Sequence, residues 1–298
     1  MANPQPFPRW QQPLPTMYDL PSEDPEEPGL PDEFHALQPQ LLSQTCQVPE
    51  AIAATRLMAQ DLNLYYDPRH TQWYKRPDWF IALGVRPVER QEELRWSYVV
   101  WQEGVAPFLV VELLSPGTES DDLGYGNRDR QPPSKWEVYE QILHIPYYVV
   151  FDRRDNRFRA FRLEGERYQP LELPRRKLWL ESLDLGLGVW DGRYNGVEGQ
   201  WLRWYNSAGI WIPTPEERAE TEAQRAEAEA QRAEAEAQRA EAEAQRAEAE
   251  AQRADRAEQS QREAIPRLAA LGLTPDQIAA ALSVPVAVVT DALRAMQD

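Results

Sequence analysis

PFLVVELLSP, residues 107–116, is an apolar run of strand length with one carboxylate, Glu112, at its centre. Gly104-Val105-Ala106 makes a turn into it, and Ser115-Pro116 ends it. A carboxylate inside a buried strand is costly unless it is paired, hydrogen-bonded or bound to a metal. Glu112 therefore needs a partner. Upstream, Asp78 opens a second apolar run in KRPDWFIALGV, and downstream Lys135 opens the amphipathic stretch SKWEVYEQIL. Two acids and a lysine on neighbouring elements are the raw material of a metal-dependent phosphodiesterase site. Plainer readings exist for each: Asp78 as a turn cap, Lys135 as a solvated first-turn lysine, and Arg76 as a structural ion-pair partner for Glu112.

The chain has 298 residues and a net charge of −17. Residues 1–213 contribute −9 and residues 214–298 contribute −8. Neither part is basic, which argues against non-specific nucleic-acid binding through bulk charge, although a local arginine patch and divalent ions can offset acidic walls. The single cysteine, Cys46, excludes an intrachain disulfide and a cysteine metal cluster. The N-terminal MANPQPFPRWQQPLP has no basic segment followed by an apolar one, and no stretch reaches transmembrane length. A soluble, cytoplasmic protein without a membrane partner is expected.

Residues 1–47, rich in proline and acids, lack helical or strand period and read as an extended or partly disordered arm. EAIAATRLMAQDL, from Glu50, spaces Ile52, Leu57, Met58 and Leu62 as in a short amphipathic helix. LNLYYDP, the run after Asp78, RWSYVVWQEG and PFLVVELLSP read as strands. A long polar loop, GTESDDLGYGNRDRQPPS, leads to Ser134, an N-cap with Glu137 three residues on, for a helix to Ile142. IPYYVVFD is a further strand, and NRFRAFRLEGERYQPLEL a hairpin around Glu-Gly. The Trp-rich remainder to Pro213 is strand-like, its tryptophans better read as core than as a carbohydrate platform. An α+β class with an α/β core and a central mixed sheet is expected over residues 48–213.

From Thr214 the sequence changes character. AETEAQR is followed by four copies of AEAEAQR, the signature of a long helix through residue 263. With Ala223 at a and Ala226 at d the seam is alanine, and glutamates fill e and g. A solvated helix with Arg225–Glu229 pairs is expected, with antiparallel coiled-coil association as the alternative. Residues 264–298 read as two short helices, the first capped by Thr274, with Ser283-Val284-Pro285 between them. The pattern suggests a helix-turn-helix, but the second helix offers no basic residue before Arg294, so a small packing unit is the better reading.

Pro77-Asp78 before an apolar strand, VVELLSPGTE, and a lysine-led helix ending in PYYVVFD together resemble the Uma2 family of restriction-endonuclease-like proteins, within the PD-(D/E)xK nuclease superfamily. The resemblance spans roughly residues 48–190. It implies a restriction-endonuclease-like sheet flanked by helices, DNA as substrate, Mg²⁺ or Mn²⁺ as cofactor, Asp78 and Glu112 as metal ligands, and Lys135 as catalytic lysine. Two departures stand out. The position two residues after the acid, where the superfamily's usual lysine lies, is Leu114, so the role passes to Lys135. The superfamily's additional helix-borne acid has two candidates, Glu50 and Asp61. The function expected is a Mg²⁺-dependent endodeoxyribonuclease. The alternative is an inactive nuclease fold serving as scaffold, with copies associating through the fold domain or the C-terminal helix.

Overall fold

The run around Glu112 forms a buried strand, Leu109–Leu113, in a computed structural model that describes residues 32–115, 119–125 and 131–295. In chain order the first strands are β1 (Arg56–Ala59), β2 (Leu64–Tyr65), β3 (Tyr74–Lys75), β4 (Trp79–Leu83), β5 (Tyr98–Val99) and β6 (Leu109–Leu113). They are followed by β7 (Tyr147–Asp152), β8 (Arg157–Glu164), β9 (Arg167–Pro170), β10 (Lys177–Leu180), β11 (Leu185–Tyr194) and β12 (Val197–Tyr205). The central sheet runs β1-β4-β6-β7-β8-β9, parallel only between β6 and β7. Two three-stranded sheets accompany it, β10-β11-β12 and β3-β2-β5. The class is α+β with a mixed central sheet, as expected.

Side-chain alternation along β6 divides the core in two. Leu109, Val111 and Leu113 join the cluster built with β10–β12, whereas Val110 and Leu114 join the one under Tyr139 and Tyr148. Glu112 shares the parity of the second set. Helix α1 (Glu33–Thr45) covers the first face. It buries Leu41 and Leu42 completely, a gain of about 1.5–3 kcal/mol for each side chain. Its Gln38 side chain accepts from the Leu202 N–H and donates to the Leu202 carbonyl, both at 2.8 Å, so this buried amide is paired with β12.

Three expectations need correction. The arm to residue 47 is no arm at its end, because Glu33–Thr45 is a core helix capped by Asp32; residues 1–31 lie outside the described residues, as does Pro116. EAIAATRLMAQDL holds only a short helix, α2 (Glu50–Ala53), before strand β1. Pairing with β4 outweighs helical spacing there: Leu57 packs on one core and Met58 on the other, as strand alternation requires. RWSYVVWQEG yields a two-residue strand and a helical turn, α3 (Val100–Glu103), ended by Gly104 in the left-handed region.

The chain divides after Arg218 into two units. In the second, α7 (Pro275–Leu282) and α8 (Val286–Arg294) pack with the end of α6 (Pro215–Ala270) around Ile265, Ile278, Ala279 and Val289. Thr274 caps α7 through a reciprocal box with Gln277. Helix α6 has 56 residues, a length of about 84 Å. Its repeats are exposed, and within them Glu227–Gln231, Glu234–Gln238, Glu241–Gln245 and Glu248–Gln252 pair along the helix. Among the described residues the expected Arg225–Glu229 pair is not formed. No helix among them is long and apolar enough to cross a membrane.

Candidate functional site

Strand pairing brings the two predicted acids together. Trp79 lies opposite Val111 in the antiparallel β4–β6 ladder, so Asp78 takes the next position, opposite Glu112. Opposed residues in such a pair point to the same face. Asp78 Oδ2 accepts a hydrogen bond from the Leu113 N–H at 2.6 Å, which extends the ladder by a side chain. Glu112 is fully buried. Its Oε2 lies 2.9 Å from Lys135 Nζ, and its Oε1 accepts from the Tyr139 hydroxyl at 2.8 Å. Lys135 is thus the partner the buried carboxylate required. Arg76 is not, since it pairs with Asp61.

Lys135 opens α5 (Lys135–Glu137), whose start is fixed by the predicted Ser134–Glu137 capping box. The helix continues as a π-helical turn, Val138–Ile142, in which the Leu143 N–H donates to the Val138 carbonyl at 2.9 Å. Such turns are rare and frequent at functional sites. Lys135 and Tyr139, four residues apart, both reach Glu112. On its other side Lys135 Nζ lies 3.0 Å from Oδ1 of Asp122, which is buried in α4 (Glu119–Asp122). The Lys135 N–H donates to Asp121 Oδ2 at 3.3 Å, and Asp121 also pairs with Lys75 at 3.8 Å. The Tyr148 hydroxyl donates to the Asp122 carbonyl at 2.9 Å, tying α4 to β7.

These surroundings shift the titrations. Burial pushes the Glu112 carboxyl up to about 7, against the opposing pull of Lys135 and with a further push from Asp78. Asp78 is also raised, by desolvation first, with Lys135, His35 and the Leu113 N–H opposing. Desolvation works against the charge on Lys135, but Asp122, Glu112 and Asp78 together hold its ammonium well above the usual range. Burial and the neighbouring Glu112 keep Tyr139 a neutral hydroxyl that donates.

The sequence reading missed Asp122, Tyr139 and His35. Asp122 was hidden in a polar loop, whereas Tyr139 was signalled by its spacing from Lys135. His35, on α1, places Nε2 2.9 Å from the Leu113 carbonyl and Nδ1 2.8 Å from Asp32 Oδ1. Desolvation opposes its charge, but Asp32, Asp78 and the Leu113 carbonyl raise its pKa to about 9. Neither candidate for the additional acid is bonded to the centre. Glu50 and Asp61 are exposed, and among the described residues no hydrogen bond or ion pair joins either to Asp78, Glu112 or Lys135, although the Asp61 N–H donates to the Pro77 carbonyl at 3.1 Å. Nor does any group of three or more His, Cys, Asp or Glu among them form a ready metal cage.

No curated protein matches the chain. Among solved structures, it is similar to "a putative nuclease belonging to DUF820" from Anabaena variabilis, at 16% identity and a TM-score of 0.34, over 53% of this chain and 77% of that one. The model of the Uma2 family, described as "Putative restriction endonuclease", matches residues 4–193, more than half of the sequence, and this chain belongs to that family.

Proposed function

We propose that this protein is a metal-dependent endonuclease that hydrolyses DNA phosphodiester bonds at the Asp78–Glu112–Lys135 centre. The observation that carries the reading is Lys135: a half-buried ammonium held between the buried carboxylates of Glu112 and Asp122, beside the register position of Asp78. A protein needing only a stable core gains little from such an arrangement, because burying ions costs about as much as their attraction returns.

The donor set fits a hard cation. Each Glu112 oxygen accepts one hydrogen bond and keeps lone-pair capacity, and Asp78 commits only Oδ2. Mg²⁺ takes one or two carboxylates and fills its remaining positions with waters and phosphate oxygens, so two opposed acids suffice. Asp78 and Glu112 would hold Mg²⁺ or Mn²⁺; when bound, it supplies Lewis-acid polarisation of the phosphoryl oxygen and a more acidic water. Lys135 contributes positive charge where the phosphorane becomes more negative. Tyr139 and Asp122 orient Glu112 and Lys135, and Leu113 orients Asp78 through its N–H. Burial of Glu112 and Asp122 excludes water from that side.

The test is plasmid DNA with Mg²⁺ or Mn²⁺, with the wild-type chain beside Asp78→Asn and Glu112→Gln. Wild-type nicking lost in both variants is expected; nicking that survives in both removes the assignment. A second reading, a catalytically inactive nuclease fold acting as a scaffold, draws on Glu112 having both oxygens engaged. It predicts no nicking by any form.

A further inference from the structure

The hairpin beside the site carries charge that the proposed chemistry does not use. Residues 152–159, DRRDNRFR, contain four arginines and two aspartates, a local +2 in a chain of net −17. Strand β7 runs parallel to β6, with Phe151 opposite Leu113, so the turn after Asp152 leaves the sheet at the same end as Glu112. Further back, Arg159 lies opposite Val150, and Val150 opposite Glu112. One row therefore crosses the sheet from Asp78 through Glu112 and Val150 to Arg159, with Arg159 two strand spacings, about 10 Å, from Glu112. Phe158 and Ala160 enter the core on the α1 face, which leaves Arg157 and Arg159 on the face of Glu112.

The guanidinium groups on this face have donors to spare. Arg159 Nη1 is buried and, among the described residues, has no hydrogen-bond partner, a costly state for a charged group. Arg154 is held by two bonds from Nε and Nη2 to Asp152, at 3.1 Å each. Arg157 is exposed, with one ion pair to Asp155 at 2.8 Å. Arg153 is set apart, since it pairs with Asp32 and lies over the Phe34 ring. A planar guanidinium fork matches phosphate oxygens two at a time, which an ammonium does not.

We propose that Arg154, Arg157 and Arg159 form a phosphate-binding surface that holds the backbone of a DNA duplex beside the Asp78–Glu112 centre. The proposal rests on the nuclease reading of that centre. It supplies the local arginine patch that an acidic chain needs in order to hold a polyanion. Phosphate contacts fix register without reading sequence, so the surface sets where the strand lies and not which sequence is cut.

The test is fluorescence anisotropy of a fluorescein-labelled DNA duplex with the full chain in EDTA, so that no strand is cut, across a salt series. The expected result is that Arg157→Ala with Arg159→Ala weakens binding by about tenfold or more and lowers the slope of log K against log salt by about 0.9 for each phosphate no longer neutralised. Duplexes of unrelated sequence should weaken alike, and Arg157→Lys with Arg159→Lys should keep the slope. Because Arg159 is partly buried, Arg157→Glu is measured alongside; this exposed reversal alone must also weaken binding. Wild-type affinity and slope in these variants would overturn the surface and leave the nuclease reading standing. A wild-type chain that binds no duplex and nicks no plasmid overturns both.

Discussion

Lys135 lies between two carboxylates that are both out of water, and this decides what each neighbouring substitution does. Tyr139→Phe removes one hydrogen bond and leaves Glu112 Oε1 without its donor, a loss of about 1–3 kcal/mol by urea denaturation. Lys135→Met leaves two buried acids uncompensated and costs about 3–5 kcal/mol, unless both take up protons. Asp122→Asn keeps the shape but removes one of the charges that hold the ammonium; if the lysine acts at phosphate, nicking falls while the fold, by circular dichroism, remains.

His35 gives a pH signature of its own. Its pKa is raised from 6.5 to about 9 in the folded chain, so its stabilisation is fully present below 6.5 and is lost as pH rises through 9. His35→Gln should therefore cost about 2–3 kcal/mol at pH 6 and much less at pH 10, as read from urea midpoints at the two pH values. Asp32 moves the opposite way, lowered from 3.8 to about 2, and its share is lost only as pH falls through that lower range. A stability difference for His35→Gln that does not change between pH 6 and pH 10 would remove this assignment.

At the scale of elements, α1 is a working part of the core. Cys46, just past its end, is buried, and burial pushes the thiol up to about 12. A disulfide reagent at pH 8 should leave it unmodified in the folded chain and react once α1 is released by denaturant. Strand β11 has the tightest constraint: a Cβ on Gly186 would come within 1.9 Å of Tyr205 Cζ on the paired strand. Gly186→Ala should cost about 1–3 kcal/mol or more through overpacking.

What could be read from the sequence follows from how local each signal is. Strands β4, β6 and β7 were legible because each is a short apolar run between turn residues, and the acids mark their ends or centres. Strand β1 was not, because Leu57 and Met58 fit a helical face as well as two faces of a strand, and only pairing with β4 decides. Helix α1 was obscured by the proline-rich sequence before it and by Pro39 inside it. At the site, Asp78, Glu112 and Lys135 announced themselves as charges in or beside apolar runs. Asp122 did not, because its burial is created by Lys135 and Tyr148 across a chain separation that composition does not encode.

For the whole molecule, the division after Arg218 makes a prediction about independence. The first unit has its own two cores, and the second its own small cluster around Ile265. Helix α6 begins with a capping box between Thr214 and Glu217, and Glu217 pairs with the buried Arg203. A chain ending at Arg218 retains the two cores, the capping box and the Arg203–Glu217 pair. Its melting temperature should stay within about 3 °C of the full chain, the shift that about 1 kcal/mol produces at this length. Light scattering on the two forms tests association through α6: equal protomer numbers would remove the coiled-coil alternative.

The ammonium of Lys135 has a consequence for folding. It is a cation the chain carries with it, so Glu112 and Asp122 have a counter-charge between them as soon as the polypeptide closes, whether or not an ion has been met. On that arrangement the chain needs no metal to reach its native state, and it should still melt cooperatively in the presence of a chelator. If an ion is taken up there as proposed, it shares Glu112 with a resident charge instead of rescuing a bare carboxylate, so its occupancy would follow the surrounding ion concentration.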